Sequence, residues 1–258
     1  MTTVNEIIKL IEKTAPPALA YPWDNSGLLT GSRGKEVKKI YITLDTNKYT
    51  VDEAVRLGAD MIVSHHPIMF GGIKQIEYNS PSGYVISELI KHDIALYAAH
   101  TNMDCANGGI NDILAYKLGI TGTEIIEKSP DFPGCGLGRI GTVKEQTLKE
   151  FAAKVKTALD TPFVRVSGDP EKIIKRAAVG GGACDDLIPA ARHMCADVMV
   201  TADMKYHITM DSAESGIAII DAGHYPTEVF VTDIFKNILK DCGAELLIST
   251  EKDIFEVM

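Results

Sequence analysis

The chain has 258 residues, 45% of them hydrophobic and 24% charged, with 26 Lys+Arg against 35 Asp+Glu and a formal net charge of −9. At roughly 100–200 residues per domain, this length holds one large or two ordinary domains with an ample core, so neither a disulfide nor a structural metal is needed for folding. The acidic balance argues against broad binding to nucleic acid or anionic lipid, which needs a net positive footprint, but it leaves room for a local cationic site such as a bound metal.

The opening stretch MTTVNEIIKLIEK mixes acids and amides with its apolar residues and lacks a basic n-region and a cleavage site, so it does not read as a secretory signal. Ile7, Ile8, Leu10 and Ile11 recur at helical spacing and predict a helix from about Val4 to Lys13, stopped by Ala15-Pro16-Pro17. Alternation in KKIYITLD (38–45) predicts a strand. A helix across Val51 to Leu57, a strand at MIVSHH, a helix from Tyr84 to Lys91, a strand at IALYAAH and a helix from Gly109 to Lys117 follow. Such alternation means α/β with crossover connections and a largely parallel sheet.

The Pro/Gly-rich stretch SPDFPGCG (129–136) reads as a boundary between two lobes. Beyond it the rhythm resumes with GRIGTV, a helix over 147–159, FVRVS, RAAVGGG, a helix near 185–194, DVMVT, a helix after Asp203, GIAIID, a long helix from Pro226 to about Leu239, and a last strand AELLIS. No run approaches the roughly 18 apolar residues of a spanning helix. The cysteines, Cys105, Cys135, Cys184, Cys195 and Cys242, are odd in number and widely spaced without a C-x-x-C pair. They read as reduced thiols of a cytoplasmic protein, most simply as small buried hydrophobes.

Chemistry concentrates where strands end. Ser64-His65-His66-Pro67 closes the apolar run MIV, at the carboxyl end of a strand, where ligands collect in open α/β sheets. Neighbouring residues on a strand face opposite ways, so both imidazoles reach one pocket only if the backbone turns; otherwise each serves a different metal, and Pro67 favours the second reading by keeping His66 extended. The next strand end carries Ala98-Ala99-His100-Thr101-Asn102-Met103-Asp104, in which Asp104 reads alone as a turn former before Asn107-Gly108-Gly109. A third end is Asp221-Ala222-Gly223-His224-Tyr225-Pro226-Thr227-Glu228. Gly223 permits a tight turn, Pro226 suits a first helical position, and the i, i+4 spacing lets His224 and Glu228 face the same way. Three imidazoles and two carboxylates from these ends form an N/O set suited to zinc, iron, manganese or nickel. Five ligands exceed one closed tetrahedral site and suit two ions with open positions for water.

These stretches, together with Trp23-Asp24-Asn25-Ser26-Gly27-Leu28-Leu29, resemble the Nif-three-like dinuclear metal-centre family, also called GTP cyclohydrolase I type 2 homologs. The resemblance spans most of the chain. It implies two interlinked α/β lobes with largely parallel or mixed sheets, in a toroidal homohexamer whose metal sites face an internal cavity. Carried over position by position, it puts His66 and Asp104 on one ion, His65 and His224 on the other, and Glu228 between them. His100 becomes a pocket residue or proton shuttle. The expected division is residues 1–128 completed by 220–258 as one lobe and 129–219 as the other, without the third domain that some relatives insert.

Three further features have two readings each. Gly180-Gly181-Gly182 is an anion cradle or a close-packing turn, and it fits no phosphate motif. Asp203-Met204-Lys205-Tyr206-His207 brings Lys205 and His207 to the site or is a solvated helix start. Trp23 is a stacking face or an anchor in the core or at a subunit contact. His92 and His193 read as surface residues. Three functions compete: hydrolysis of a nucleotide-like or heterocyclic small molecule by metal-activated water, with Lys74, Arg139 and Lys205 as candidate phosphate partners; phosphoester hydrolysis; and non-catalytic metal storage, delivery or regulation.

Overall fold

Helix α1 (Val4–Thr14) starts at Thr3, where the Thr3 hydroxyl accepts from the Glu6 amide and Glu6 accepts from the Thr3 amide, and it ends at Ala15 before the two prolines. The computed structural model describes residues 2–71, 73–256 and 258. After α1 come β1 (Gly27–Thr30), β2 (Lys39–Thr43), α2 (Lys48–Leu57), β3 (Met61–Ser64), α3 (Pro81–Lys91), β4 (Ala95–Ala98) and α4 (Thr101–Cys105). They are followed by α5 (Ile110–Lys117), β5 (Thr121–Lys128), β6 (Gly136–Thr147), α6 (Leu148–Ala158), β7 (Arg165–Ser167), β8 (Ile173–Val179), α7 (Ile188–His193) and β9 (Val198–Thr201). The chain closes with α8 (Tyr206–Glu214), β10 (Ala218–Asp221), α9 (His224–Glu228), α10 (Val231–Leu239) and β11 (Glu245–Ile248). Two compact units result, Met1–Ala106 with Val231–Lys252, and Asn107–Phe230 with Asp253–Met258.

The first unit carries a five-stranded sheet ordered β1-β4-β3-β2-β11, parallel throughout except for β1, which runs antiparallel beside β4. Its parallel strands bury both faces, which explains the near-continuous apolar runs MIVS and ALYA. On one face Tyr41, Ile62 and Leu96 pack with Val51 and Ala54 of α2 and Val85 and Leu89 of α3. Helices α1 and α10 lie against each other, and the Tyr97 hydroxyl donates to Glu12 of α1.

The second unit holds a six-stranded sheet ordered β5-β6-β8-β9-β10-β7. Only β8, β9 and β10 are mutually parallel; β5, β6 and β7 are antiparallel to their neighbours. Both sheets are therefore mixed, within the expected α/β class. Ile140, Ala178, Met199 and Ile219 of this sheet pack with Leu187, Ile188 and Ala191.

Several expectations need correcting. The stretch 129–136 does not separate two units: β5 and β6 on either side of it pair antiparallel, so it is a hairpin connection within one sheet. The units part instead at 106/107 and at 230/231, differing from the expected 128/129 and 219/220. The helix foreseen from Pro226 to Leu239 is two helices broken at Val229-Phe230, where the chain passes from one unit to the other. Its first part begins at His224, so Pro226 is its third residue. Strands β1 and β5 and helix α4 had no periodic signature; β5 is largely exposed and has no buried face to announce it.

Candidate metal centre

Register builds the site in the first unit. Thr43 pairs with Ser64 and Ser64 with Ala98, so the carboxyl ends of β2, β3 and β4 stand level. The residues just beyond them, Asp45, His65, His66 and His100, therefore meet at one edge of the sheet. The antiparallel partner β1 sets Gly27 opposite Ala98, which delivers Asp24 and Ser26 to that same edge. Strand β3 stops at Ser64, and the amides of His65 and His66 both donate to the Leu44 carbonyl, at 3.2 and 3.0 Å.

The alternation of faces ends there. The His65 and His66 rings lie 4.8 Å apart, and the His100 ring lies 5.1 and 5.5 Å from them. Of the two readings of the adjacent histidines, the turned backbone is the one observed. One ligand nitrogen from each of His65, His66 and His100 lies within 4.8 Å of the others. Asp104, buried on α4, has Oδ1 3.8 Å from His65 Nε2; it belongs to a helix and not to a turn.

Each of these rings is tied at Nδ1 to an oxygen. His65 Nδ1 meets the Ala99 carbonyl at 2.9 Å, His66 Nδ1 meets Asp45 at 2.8 Å and His100 Nδ1 meets Asp24 at 2.8 Å. A carbonyl or carboxylate oxygen can only accept, so Nδ1 carries the proton and the lone pair of the neutral ring sits on Nε2. This is how metal-ligating imidazoles are oriented and tautomer-fixed.

Asp24 organises this edge. Its carboxylate accepts from His100, from the Thr101 amide at 3.1 Å and hydroxyl at 2.5 Å, and from the Ser26 hydroxyl at 2.9 Å. Burial alone would raise its pKa, but the hydrogen bonds from His100, Thr101 and Ser26 outweigh it and hold the carboxyl well below the usual range. A folded-state pKa below the unfolded one stabilises the fold above the unfolded value of about 4, and that contribution is lost as pH falls through the folded value. The unfolding free energy of Asp24→Asn, followed by urea titration, is expected to lag wild type most at neutral pH, with the gap narrowing below about pH 4.

The second unit repeats the device. Thr201 pairs with Asp221 and Val200 with Val179, so β8, β9 and β10 end level. Beyond them stand Gly180-Gly181-Gly182, Asp203 and His224. His224 opens α9 after Gly223, whose φ of +86° makes the turn that glycine accommodates. Its Nδ1 meets Asp203 Oδ2 at 2.7 Å and its Nε2 lies 3.0 Å from Glu228 Oε2 on the same helix. Glu228 is 3% exposed.

The three glycines serve close packing. Gly182 has φ +63°, and a Cβ there would lie 2.2 Å from Glu228 Oε1 and 3.0 Å from His224 Nε2. The Gly181 and Gly182 amides, which an anion would need, donate instead to Asn111 and Thr227.

Other candidates separate clearly. Arg139 is 2% exposed and bound to Asp112 and to the Gly136 and Gly138 carbonyls, so it is a structural ion pair and no phosphate partner. Lys205 pairs with Asp185, and His207 is exposed; from that segment Asp203 is the residue that matters, its φ of +56° being the local signal. Lys74, His92 and His193 are exposed. Trp23 is 59% exposed and so is no core anchor. Of the cysteines, Cys105 and Cys184 are buried and Cys195 is exposed.

A two-unit mixed α/β protein with imidazoles and carboxylates gathered beyond the ends of parallel strands defines a candidate metal-binding class. The Duf34/NIF3 (NGG1p interacting factor 3) family model matches residues 2–253, and the chain belongs to that family. It is 38% identical over 259 residues to the GTP cyclohydrolase 1 type 2 homolog of Clostridium perfringens (strain 13 / Type A), covering 98% of both chains. Its likeness to the Bacillus subtilis (strain 168) protein of the same name, 28% identical with 92% of each chain covered, extends over 344 aligned positions, so that relative carries inserted residues which this chain lacks. The crystal structure of a Bacillus cereus protein related to NIF3 superimposes with a TM-score of 0.92 at 28% identity, covering 99% of both chains. No helix among the described residues is long and apolar enough to cross a membrane.

Proposed function

We propose that this protein is a metal-dependent hydrolase of a nucleotide-like or heterocyclic small molecule. The residues that would hold its divalent ions, two per chain on this reading, are His65, His66 and Asp104 in the first unit and His224 and Glu228 in the second. The observation that carries the reading is the common orientation of the imidazoles, with Nδ1 bonded to Ala99, Asp45 or Asp203, so that Nε2 is the ring nitrogen that would face an ion. Bound divalent ions supply Lewis acidity and lower the pKa of a water at neutral pH. Zinc, iron, manganese and nickel all suit this N/O set. His100, held at Nδ1 by Asp24, moves a proton at Nε2. The name of the Clostridium perfringens relative supports a ring-opening hydrolysis, while the ion pairs of Arg139 with Asp112 and of Lys205 with Asp185 leave Lys74 as the cation for a phosphate tail. The proposed setting is a cytoplasmic, toroidal homohexamer.

The test is to load the protein with each metal in turn and follow GTP, other nucleotides and simple phosphate esters by absorbance and product mass. The expected result is metal-dependent gain of one water by a heterocycle, lost in Glu228→Gln. Release of phosphate alone would replace this reading by a phosphoesterase. Unchanged and unbound nucleotides beside exchangeable metal would replace it by a storage or delivery protein.

A further inference from the structure

Beside the imidazoles of the first unit stands an aromatic wall that the chemistry so far does not use. Trp23 is 59% exposed and Phe70 55% exposed, and their ring centroids lie 6.4 Å apart at 41°. The His100 ring stands edge-on to both, 6.0 Å from Trp23 and 5.6 Å from Phe70. Tyr21 backs Trp23 in a stacked pair at 6.0 Å and 19°. The two loops that carry the wall are joined by the Asn25 side-chain amide, which donates to the Met69 carbonyl at 2.9 Å. One hydrogen bond thus ties the two halves of the wall together, with two large apolar side chains exposed within a ring's width of a candidate metal ligand.

Two observations select its occupant. The adjacent His100 calls for a molecule whose reacting atoms reach the imidazoles while its flat face covers Trp23 and Phe70, which a small planar ring does. Phe70 also lines a cleft of about 510 Å³, together with residues that include Ile68, Met69, Lys74, Gln75 and Ser82. Ligand pockets run from about 300 to 1,000 Å³, so the cleft takes the remainder of a nucleotide-sized molecule, and Lys74 gives it a cationic side. We infer that Trp23 and Phe70 are the specificity-determining wall for a planar aromatic heterocycle bearing an anionic substituent, the ring stacked beside His100 and the anion directed to Lys74. This rests on the hydrolase reading for the reaction, but its geometry concerns binding alone.

Trp23 is the only tryptophan in the chain, so its fluorescence reports the wall directly. Guanosine 5′-monophosphate and guanosine are titrated against ribose 5-phosphate, with metal present and absent. Saturable quenching by the first two and none by the third is expected. Phe70→Leu should weaken both by about tenfold, the scale of one base–aromatic stack. Lys74→Gln should bring guanosine 5′-monophosphate down to the level of guanosine and leave guanosine unchanged. Trp23→Leu, read by calorimetry, should match Phe70→Leu.

Absence of quenching by either ring compound, or equal affinity in Phe70→Leu, overturns the inference. So does a Trp23 emission that shifts on dilution without ligand and ceases to shift in Phe70→Leu, which would assign the wall to contact with another copy of the chain. The two readings fail separately. Quenching without any turnover sinks the hydrolase and leaves the wall, whereas turnover of a ringless phosphate ester, unaffected by Trp23→Leu and without quenching, sinks the wall and leaves a metal-dependent hydrolase.

Discussion

His65→Ala and Glu228→Gln are each expected to lose at least half of the bound metal, from about two ions per chain in wild type to about one or fewer, as measured by elemental analysis after loading and desalting. His65 is wholly buried and holds its Nδ1 on the Ala99 carbonyl, so only its Nε2 side is available to an ion. Glu228 is 3% exposed beside His224, and glutamine keeps its volume while removing the charge that would offset two cations. Because His65→Ala also opens a cavity, His66→Ala, at a partly exposed position, serves as the companion variant, with circular dichroism confirming the fold. A second readout is thermal: an ion bound to the native state at a hundred times its Kd stabilises by about 2.7 kcal/mol, and the variants should lose that metal-dependent rise in Tm. Unchanged stoichiometry in all three variants would remove the dinuclear reading.

Gly182→Ala is expected to destabilise the protein by about 1–3 kcal/mol in urea unfolding and to lower metal content as well. The backbone at +63° is unfavourable for alanine, and the added methyl would stand 2.2 Å from Glu228 Oε1, so carboxylate or loop must move. Gly216→Ala separates the two effects. Its φ is +89° with no atom within 4 Å of the added Cβ, so it should show the backbone strain alone and leave metal binding at the wild-type level. Equal metal content in Gly182→Ala and wild type would show that this glycine merely packs.

The ligand candidates were legible because each sits just past an apolar run: MIV before His65, IALYAA before His100, and GIAIID before His224. What fixes them was not. Asp24 reaches His100 across 76 residues, and Asp45 and Asp203 reach their histidines across 21, so no local spacing marks the pairs. Only the level strand ends do, and level ends follow from a register that becomes visible when the sheet is assembled. The fold fared similarly. Strands with two buried faces announced themselves, while exposed β5 and the five-residue α4 lacked the period that a buried face imposes. The hairpin at 129–136 was mistaken for a boundary because turns and linkers share Pro and Gly.

Tying His65, His66, His100 and His224 at Nδ1 also decides when their freedom is lost. Ring flips and χ rotations of these side chains are quenched as the sheets form, so the entropy of arranging the donors is charged to folding and not to ion capture. A cation arriving at the donors of either unit then meets ligands already oriented, and its selectivity follows from how well its own coordination preference suits a frame that does not yield.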